Sequence, residues 1–382
     1  MKEIKSILAA WERHQYEKQE TFLATVVKVQ GSTYRQPGAR MLITASREMI
    51  GSISGGCLEK DILEHTRVSM QENNFFLVTY DTTADEEIIW GFGLGCNGVV
   101  TVLIERLNQE NFLNPLKLID YCFKTKKTGI IATVINVEGN INSKVGERLT
   151  ITLDDQVNTN LENKKLKRAL LKTAQTCLQN QQSSFYSYQL SQGKIDVFLE
   201  FIKPPPNLMI FGAGRDVIPV VDLAKILGWK ITIIDCRANQ ETKKRFIVAD
   251  EIILTRRDIL HQQISIDNDT VAIVMTHNYL DDLEILKLLI PSNIKYLGCL
   301  GSKQRQEKLL QDLQNQGLNY SPEILNKLYA PMGLDIGAET PEAIALSIIT
   351  EIQAVLTKRQ GGFLKQRRHS IHFRHQVREI IL

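Results

Sequence analysis

LMIFGAGRDVIPVVDLAKILGWKITIIDC, residues 208–236, decides the fold of the second half of the chain. Leu208–Phe211 is continuously apolar and runs straight into Gly212-Ala213-Gly214. An apolar run without alternation reads as a strand buried on both faces. Asp216–Leu227 follows with helical length, and Ile231–Cys236 reads as a second buried strand. Strand, glycine turn, helix and strand form a βαβ unit, whose strands lie parallel. Further along, VAIVMTH (Val271–His277) and IKYLGCLGS (Ile294–Ser302) repeat the passage from buried strand to loop. A Rossmann-like, parallel-sheet domain is therefore expected to begin near Asn207.

Ligands in such sheets bind where loops leave the carboxyl ends of the strands. Four loops qualify here: Gly212–Gly214, Asp235, Thr276-His277, and Gly298–Lys303 with Ser302 at a helix start. Gly212 and Gly214 let backbone amides approach a phosphate. Asp235 stands where a carboxylate accepts hydrogen bonds from a ribose. The third glycine of the dinucleotide fingerprint is missing, with Val217 in its place. Plainer roles stay open: the glycines as turn formers, Asp235 as a solvated strand-end charge, His277 as a helix cap, Cys236 and Cys299 as core thiols.

The triple proline Pro204–Pro206 is a stiff spacer and sets the expected boundary. It divides the chain into 1–203, a mixed α/β domain with a less informative middle, and 204–382, the Rossmann-like domain with a basic tail. In the first domain, Ile4, Ile7, Leu8 and Trp11 recur at helical spacing, and Thr21–Gln30 is a β-branched strand. No internal repeat and no low-complexity segment is legible.

Ser54-Gly55-Gly56-Cys57 leads into a helix, so its amides are expected to be free for an anion. Cys57 is read into the first helical turn, where the macrodipole favours a thiolate. Gly95-Cys96 lies in a second glycine-rich loop, GFGLGCNG (91–98). Arg35 and Arg40 are candidate cations for a phosphate, with Ser32 and Thr33 as hydrogen-bond partners. The alternatives are small buried cysteines and solvated arginines.

Composition narrows the class. A hydrophobic fraction of 43% fills a globular core, and a net charge of +3 gives no footprint for nucleic acid. The six cysteines form no Cys-x-x-Cys pair, so no zinc ribbon is expected and the thiols are read as reduced. The N-terminus has no signal-peptide core and no stretch spans a membrane, so a cytoplasmic location is expected.

ATVVKVQGSTYRQPGARMLI (24–43) followed by GSISGGCLEKD (51–61) resembles the opening signature of the XdhC/CoxI family. WGFGLGCNG (90–98) resembles its second cysteine loop, with Asn97 where glycine is common. Residues 211–237, 275–290, 294–305, 330–352 and 361–367 resemble its Rossmann half in the same order. The resemblance implies a maturation factor that binds molybdenum cofactor (molybdopterin), protects it during sulfuration and delivers it to an apo molybdenum hydroxylase of the xanthine dehydrogenase type. It also implies a cysteine desulfurase partner and a homodimer. By position, Cys57 and Cys96 are the candidate molybdenum contacts. Gly55, Gly56 and Gly95 shape their loops, and Gly212, Gly214 and Asp235 would hold a nucleotide or pterin-phosphate end. No catalytic residue is assigned. Two other functions stay open: an NAD(P)-dependent oxidoreductase using the Rossmann-like domain, and a scaffold with a degenerate pocket.

Overall fold

The computed structural model describes residues 1–69, 75–81, 98–107, 111–154, 156–237, 239–368, 370–372 and 377–382. They divide into two units, one of residues 3–204 with 369–382, the other of residues 1–2 with 205–368.

The first unit is built twice over. Helix α1 (Lys2–Tyr16) leads into β1 (Thr21–Gly31), β2 (Arg40–Thr44) and β3 (Met49–Gly51), then α2 (Glu59–Ser69), β4 (Phe75–Asp81) and β5 (Gly98–Arg106). Helix α3 (Pro115–Thr125) leads into β6 (Gly129–Gly139), β7 (Arg148–Thr152) and β8 (Val157–Thr159), then α4 (Lys164–Asn180), β9 (Ser184–Leu190) and β10 (Gly193–Ile202). The first sheet has the order β3-β2-β1-β5-β4 and the second repeats it as β8-β7-β6-β10-β9. The two central strands even share one burial pattern, seven buried residues followed by a progressively exposed end.

This is an internal duplication, and it corrects the expectation of none. Ala24, Thr25, Val26, Val29 and Gly31 align with Ala132, Thr133, Val134, Val137 and Gly139. Gly38, Arg40, Ile43 and Thr44 align with Gly146, Arg148, Ile151 and Thr152. The matching residues keep matching geometry. Val26 exchanges hydrogen bonds with Gly38 and Ala39 at 2.8 and 2.9 Å, as Val134 does with Gly146 and Glu147 at 2.9 Å each. Both repeats bury α1 and α3 together, through Ile7, Leu8 and Trp11 against Leu116, Ile119 and Cys122.

In the second unit, strands and helices alternate: β11 (Asn207–Phe211), α5 (Val217–Ile226), β12 (Lys230–Asp235), α6 (Glu241–Arg245), β13 (Glu251–Leu254), α7 (Leu260–Gln263) and β14 (Thr270–Val274). Then come α8 (Tyr279–Leu289), β15 (Tyr296–Cys299), α9 (Lys303–Asn315), α10 (Pro322–Leu325), β16 (Leu328–Tyr329) and α11 (Pro341–Leu356). All strand pairs are parallel, in the order β13-β12-β11-β14-β15-β16. That is the Rossmann order, with its reversal between β11 and β14. Helices α5 and α11 cover one face, and α8 and α9 the other.

The tail departs from its expected place. Residues Val377–Ile381 (β17) add a parallel strand to β9, from Val377 beside Phe185 to Ile381 beside Gln189. The chain's end thus belongs to the first unit, and Arg378 donates to the Tyr186 hydroxyl at 3.2 Å.

Candidate functional site

Beyond β3 the chain turns through Gly55 and Gly56, whose φ values of 139° and 116° favour glycine. Glu59, the first residue of α2, folds its side chain back into this turn. Its carboxylate accepts from the Ser52 hydroxyl at 2.8 Å and from the amides of Ser54, Gly56, Leu58, Ile53 and Gly55 at 2.9 to 3.3 Å. The Ser54 hydroxyl also donates to it. Burial pushes the Glu59 pKa up, but the hydrogen bonds from Ser54, Ser52 and Gly55 outweigh it and hold the group at about 2.

The glycine-rich turn is an anion nest, as expected, but its anion is the protein's own carboxylate. Those amides are not free for a phosphate. Cys57 sits two residues before α2 rather than in its first turn, and its thiol is exposed. A carboxylate bonded on every side therefore braces a loop that presents one cysteine to solvent.

The two arginines are engaged elsewhere. Arg35 pairs with Glu3 at 2.5 and 3.0 Å. Arg40 is buried, bonded to both carboxylate oxygens of Glu200 and to the Gly38 carbonyl at 2.8 Å. Gly95 and Cys96 lie outside the described residues. The strands that flank their segment are placed, however. The Tyr80 hydroxyl at the end of β4 donates to Asp61 of α2 at 2.6 Å, and Gly98 at the start of β5 is beside Gly31. The Cys57 turn is also near this edge, since a Cβ on Gly55 would stand 3.2 Å from the Tyr34 ring. In the second repeat the strands equivalent to β4 and β5 are joined by Ser191-Gln192 alone, whereas residues 82–97 join them in the first. The segment that carries Cys96 is thus a place where the first repeat is longer than its copy.

The Rossmann unit holds a crevice of about 250 Å³ between Gly212–Gly214, Asp235–Arg237, Arg245 and Thr276-His277. A Cβ on Gly212 would lie 2.2 Å from the Met275 carbonyl, and one on Gly214 would lie 2.2 Å from the Asp216 carboxylate. His277 adopts a left-handed φ of 55°, and its Nε2 is 2.8 Å from Asp216. Asp235 is in the crevice wall but spends its carboxylate on its own loop. It accepts from the Arg237 amide at 3.0 Å, the Thr242 hydroxyl at 2.6 Å and the Asn239 amide at 3.4 Å. Burial, then the Asp281 and Asp235 charges, push the Cys236 thiol up to about 12. Ser302 uses its hydroxyl to cap α9, accepting from the Arg305 amide at 3.3 Å. Arg237 and Arg245 line the crevice and were missed by sequence reasoning, which had no means of separating them from other loop charges.

The chain thus joins a duplicated α/β unit carrying a braced cysteine loop to a Rossmann unit with an open crevice. Residues 15–81 match the XdhC and CoxI family, and residues 208–352 match the XdhC Rossmann domain. The chain belongs to the XdhC and CoxI family. It is 31% identical to a probable xanthine dehydrogenase subunit of Bacillus subtilis (strain 168), over 88% of this chain and 93% of that one. It is 22% identical to the molybdenum cofactor insertion chaperone PaoD of Escherichia coli (strain K12), over 87% of this chain and 82% of that one. A Bacillus halodurans protein solved as a xanthine dehydrogenase shares 30% identity and a TM-score of 0.74, covering 94% of this chain and 98% of that one. No described helix is long and apolar enough to cross a membrane.

Proposed function

We propose that the protein is a molybdenum-cofactor chaperone. It holds the cofactor at the Cys57 loop, shields it while the sulfido form is made, and delivers it to an apo hydroxylase of the xanthine dehydrogenase type. The observation that carries this reading is the exposed Cys57 thiol on a turn locked by Glu59. A thiol is a soft ligand suited to molybdenum or to sulfur transfer. Among the described residues no group of three His, Cys, Asp or Glu side chains forms a metal cage. Cys57 would offer the metal a sulfur contact, with Cys96 as the second candidate. Relatives named for xanthine dehydrogenase and for cofactor insertion support the client class. A cysteine desulfurase supplying sulfur and a homodimeric cytoplasmic state belong to the same proposal. No turnover by the protein itself is invoked.

The test is to purify the protein from cells that make the cofactor and quantify bound pterin after oxidation. Hydroxylase activity is measured in parallel in a strain lacking the gene. Bound pterin and lost hydroxylase activity are expected. A pterin-free protein together with normal hydroxylase activity would overturn the proposal.

The second reading, an NAD(P)-dependent oxidoreductase, draws on the His277–Asp216 pair beside the crevice. Substrate-independent NAD(P)H oxidation assays and a hydride-acceptor screen separate it from the chaperone, which consumes no reduced nicotinamide.

A further inference from the structure

The second repeat shows what the loop beside Cys57 looks like without a cysteine. Residues 32–39 join β1 to β2, and residues 140–147 join β6 to β7 at the same length. Each loop touches the connection that enters its repeat's second helix. In the second repeat that contact is polar, with Asn142 donating to Glu162 at 3.0 Å. In the first repeat Tyr34 stands in the place of Asn142. Its ring lies against the glycine turn, so that a Cβ on Gly55 would meet three ring carbons at 3.2 to 3.7 Å. The connection it touches is also the longer one, residues 52–58 against 160–163, and it carries Cys57.

Tyr34 is nevertheless 69% exposed. A ring that served only to cover the turn would be largely buried by it. The loop that presents this ring is pinned. The Thr33 hydroxyl donates to the Arg35 carbonyl at 3.0 Å, and Arg35 is paired with Glu3. Gly98, at the start of β5, packs so closely on the same loop that a Cβ there would stand 2.7 Å from the Ser32 carbonyl. Beside the ring, among the described residues, nothing lies within 4 Å of where a Cβ on Gly56 would stand. An aromatic face held out from a braced loop, next to a turn without side chains, suits a planar heterocycle, which stacks on it.

We infer, building on the chaperone reading, that Tyr34 is a stacking contact for the pterin ring of the cofactor. The ring system then lies in the first unit, beside Cys57, and not in the Rossmann crevice. The second repeat, with asparagine at the matching place, has no such face.

The full chain is purified from cofactor-producing cells as the parent and as Tyr34→Phe, Tyr34→Trp, Tyr34→Ala and Tyr34→Asn, and pterin per chain is measured after oxidation. Tyr34→Phe and Tyr34→Trp keep a π face and should retain the parent's load. Tyr34→Ala and Tyr34→Asn should bind about tenfold more weakly and lose most of it. In Tyr34→Trp the emission added over the parent should be quenched in loaded protein and restored in protein from cells that make no cofactor. A packing role would not produce that signal. In the same pterin-free protein, Cys57 of Tyr34→Ala should be alkylated at the parent's rate, since the turn is held by Glu59. A parent without pterin would remove the chaperone reading and the stacking contact together. A loaded parent whose Tyr34→Ala and Tyr34→Asn variants are equally loaded, an introduced indole that is not quenched, or a Cys57 turn loosened in Tyr34→Ala would overturn the stacking contact alone.

Discussion

Arg148 donates two hydrogen bonds to Glu105, at 2.5 and 2.6 Å, and the pair is buried between the two repeats of the first unit. Arg40 and Glu200 form its counterpart. The equivalence is structural, because Glu105 is paired with Leu23 of β1 and Glu200 with Ile131, the matching residue of β6. Each repeat therefore sends its arginine to the other repeat's glutamate. A buried arginine needs such a partner, and a two-fold exchange satisfies both at once.

Removing one member of such a pair leaves a buried charge unpaired. Glu105→Gln and Arg148→Met should each cost about 3–5 kcal/mol. The double variant Glu105→Leu with Arg148→Met should cost clearly less than the two singles combined, because no lone charge remains. Urea denaturation followed by circular dichroism measures all three. Single variants within about 0.5 kcal/mol of the parent would show that the pairs do not hold the repeats together.

Glu59 makes a prediction with a sign. Its folded pKa, about 2, lies below its ordinary value of 4.5. A depressed carboxylate stabilises the fold above its unfolded pKa, and that contribution fades as pH falls from about 4.5 towards 2. Glu59→Gln places an NH2 group against backbone donors, so it should cost on the order of 2 kcal/mol at neutral pH. The gap between parent and variant should close by about pH 2–3. A gap independent of pH, read from denaturation midpoints across that range, would place the stabilisation elsewhere.

The same residue shows where sequence reasoning ran out. Ser54–Cys57 was legible as an anion nest, because glycines before a helix expose amides. An acid in a first helical turn is so common that Glu59 carried no mark as the occupant. Four of the six strands of the Rossmann sheet, β11, β12, β14 and β15, were legible, since buried parallel strands are continuous apolar runs, whereas the short edge strands β13 and β16 were not. The duplication escaped notice because its identities are scattered among variable positions, and along the first two strands of each copy only Ala-Thr-Val-x-x-Val-x-Gly and Gly-x-Arg-x-x-Ile-Thr persist. Arg40 read as a loop cation because nothing in the primary sequence links it to Glu200, 160 residues away.

Two glycines with left-handed φ should respond differently to a methyl group. Among the described residues nothing lies within 4 Å of where a Cβ on Gly56 would stand, whereas on Gly212 it would press on the Met275 carbonyl at 2.2 Å. Gly56→Ala should therefore cost only backbone strain, about 1–3 kcal/mol. Gly212→Ala adds a clash with main chain, which is fixed by the bond from the Met275 amide to the Phe211 carbonyl at 2.7 Å. It should destabilise the Rossmann unit more than Gly56→Ala destabilises the first unit. Thermal unfolding with a probe in each unit tests the ranking, and the reverse order would contradict it.

Cys57 and Cys122 separate a functional thiol from a structural one. Cys57 is exposed, while Cys122 is fully buried among Ile119, Leu116 and Trp11, and burial pushes its thiol up to about 12. Alkylation needs an accessible thiol, so Cys57 should be alkylated rapidly in the native protein and Cys122 only on unfolding. Peptide mass spectrometry after a short iodoacetamide pulse resolves the two sites. Cys57→Ala should change stability by less than about 0.5 kcal/mol, as for most surface substitutions, yet reduce bound pterin in protein purified from cofactor-producing cells. Cys122→Ala should do the opposite, costing about 1–2 kcal/mol through a lost buried contact while pterin retention holds. If Cys57→Ala retains the full pterin load and Cys57 is no more reactive than Cys122, the braced loop serves the fold and the cofactor must be held elsewhere.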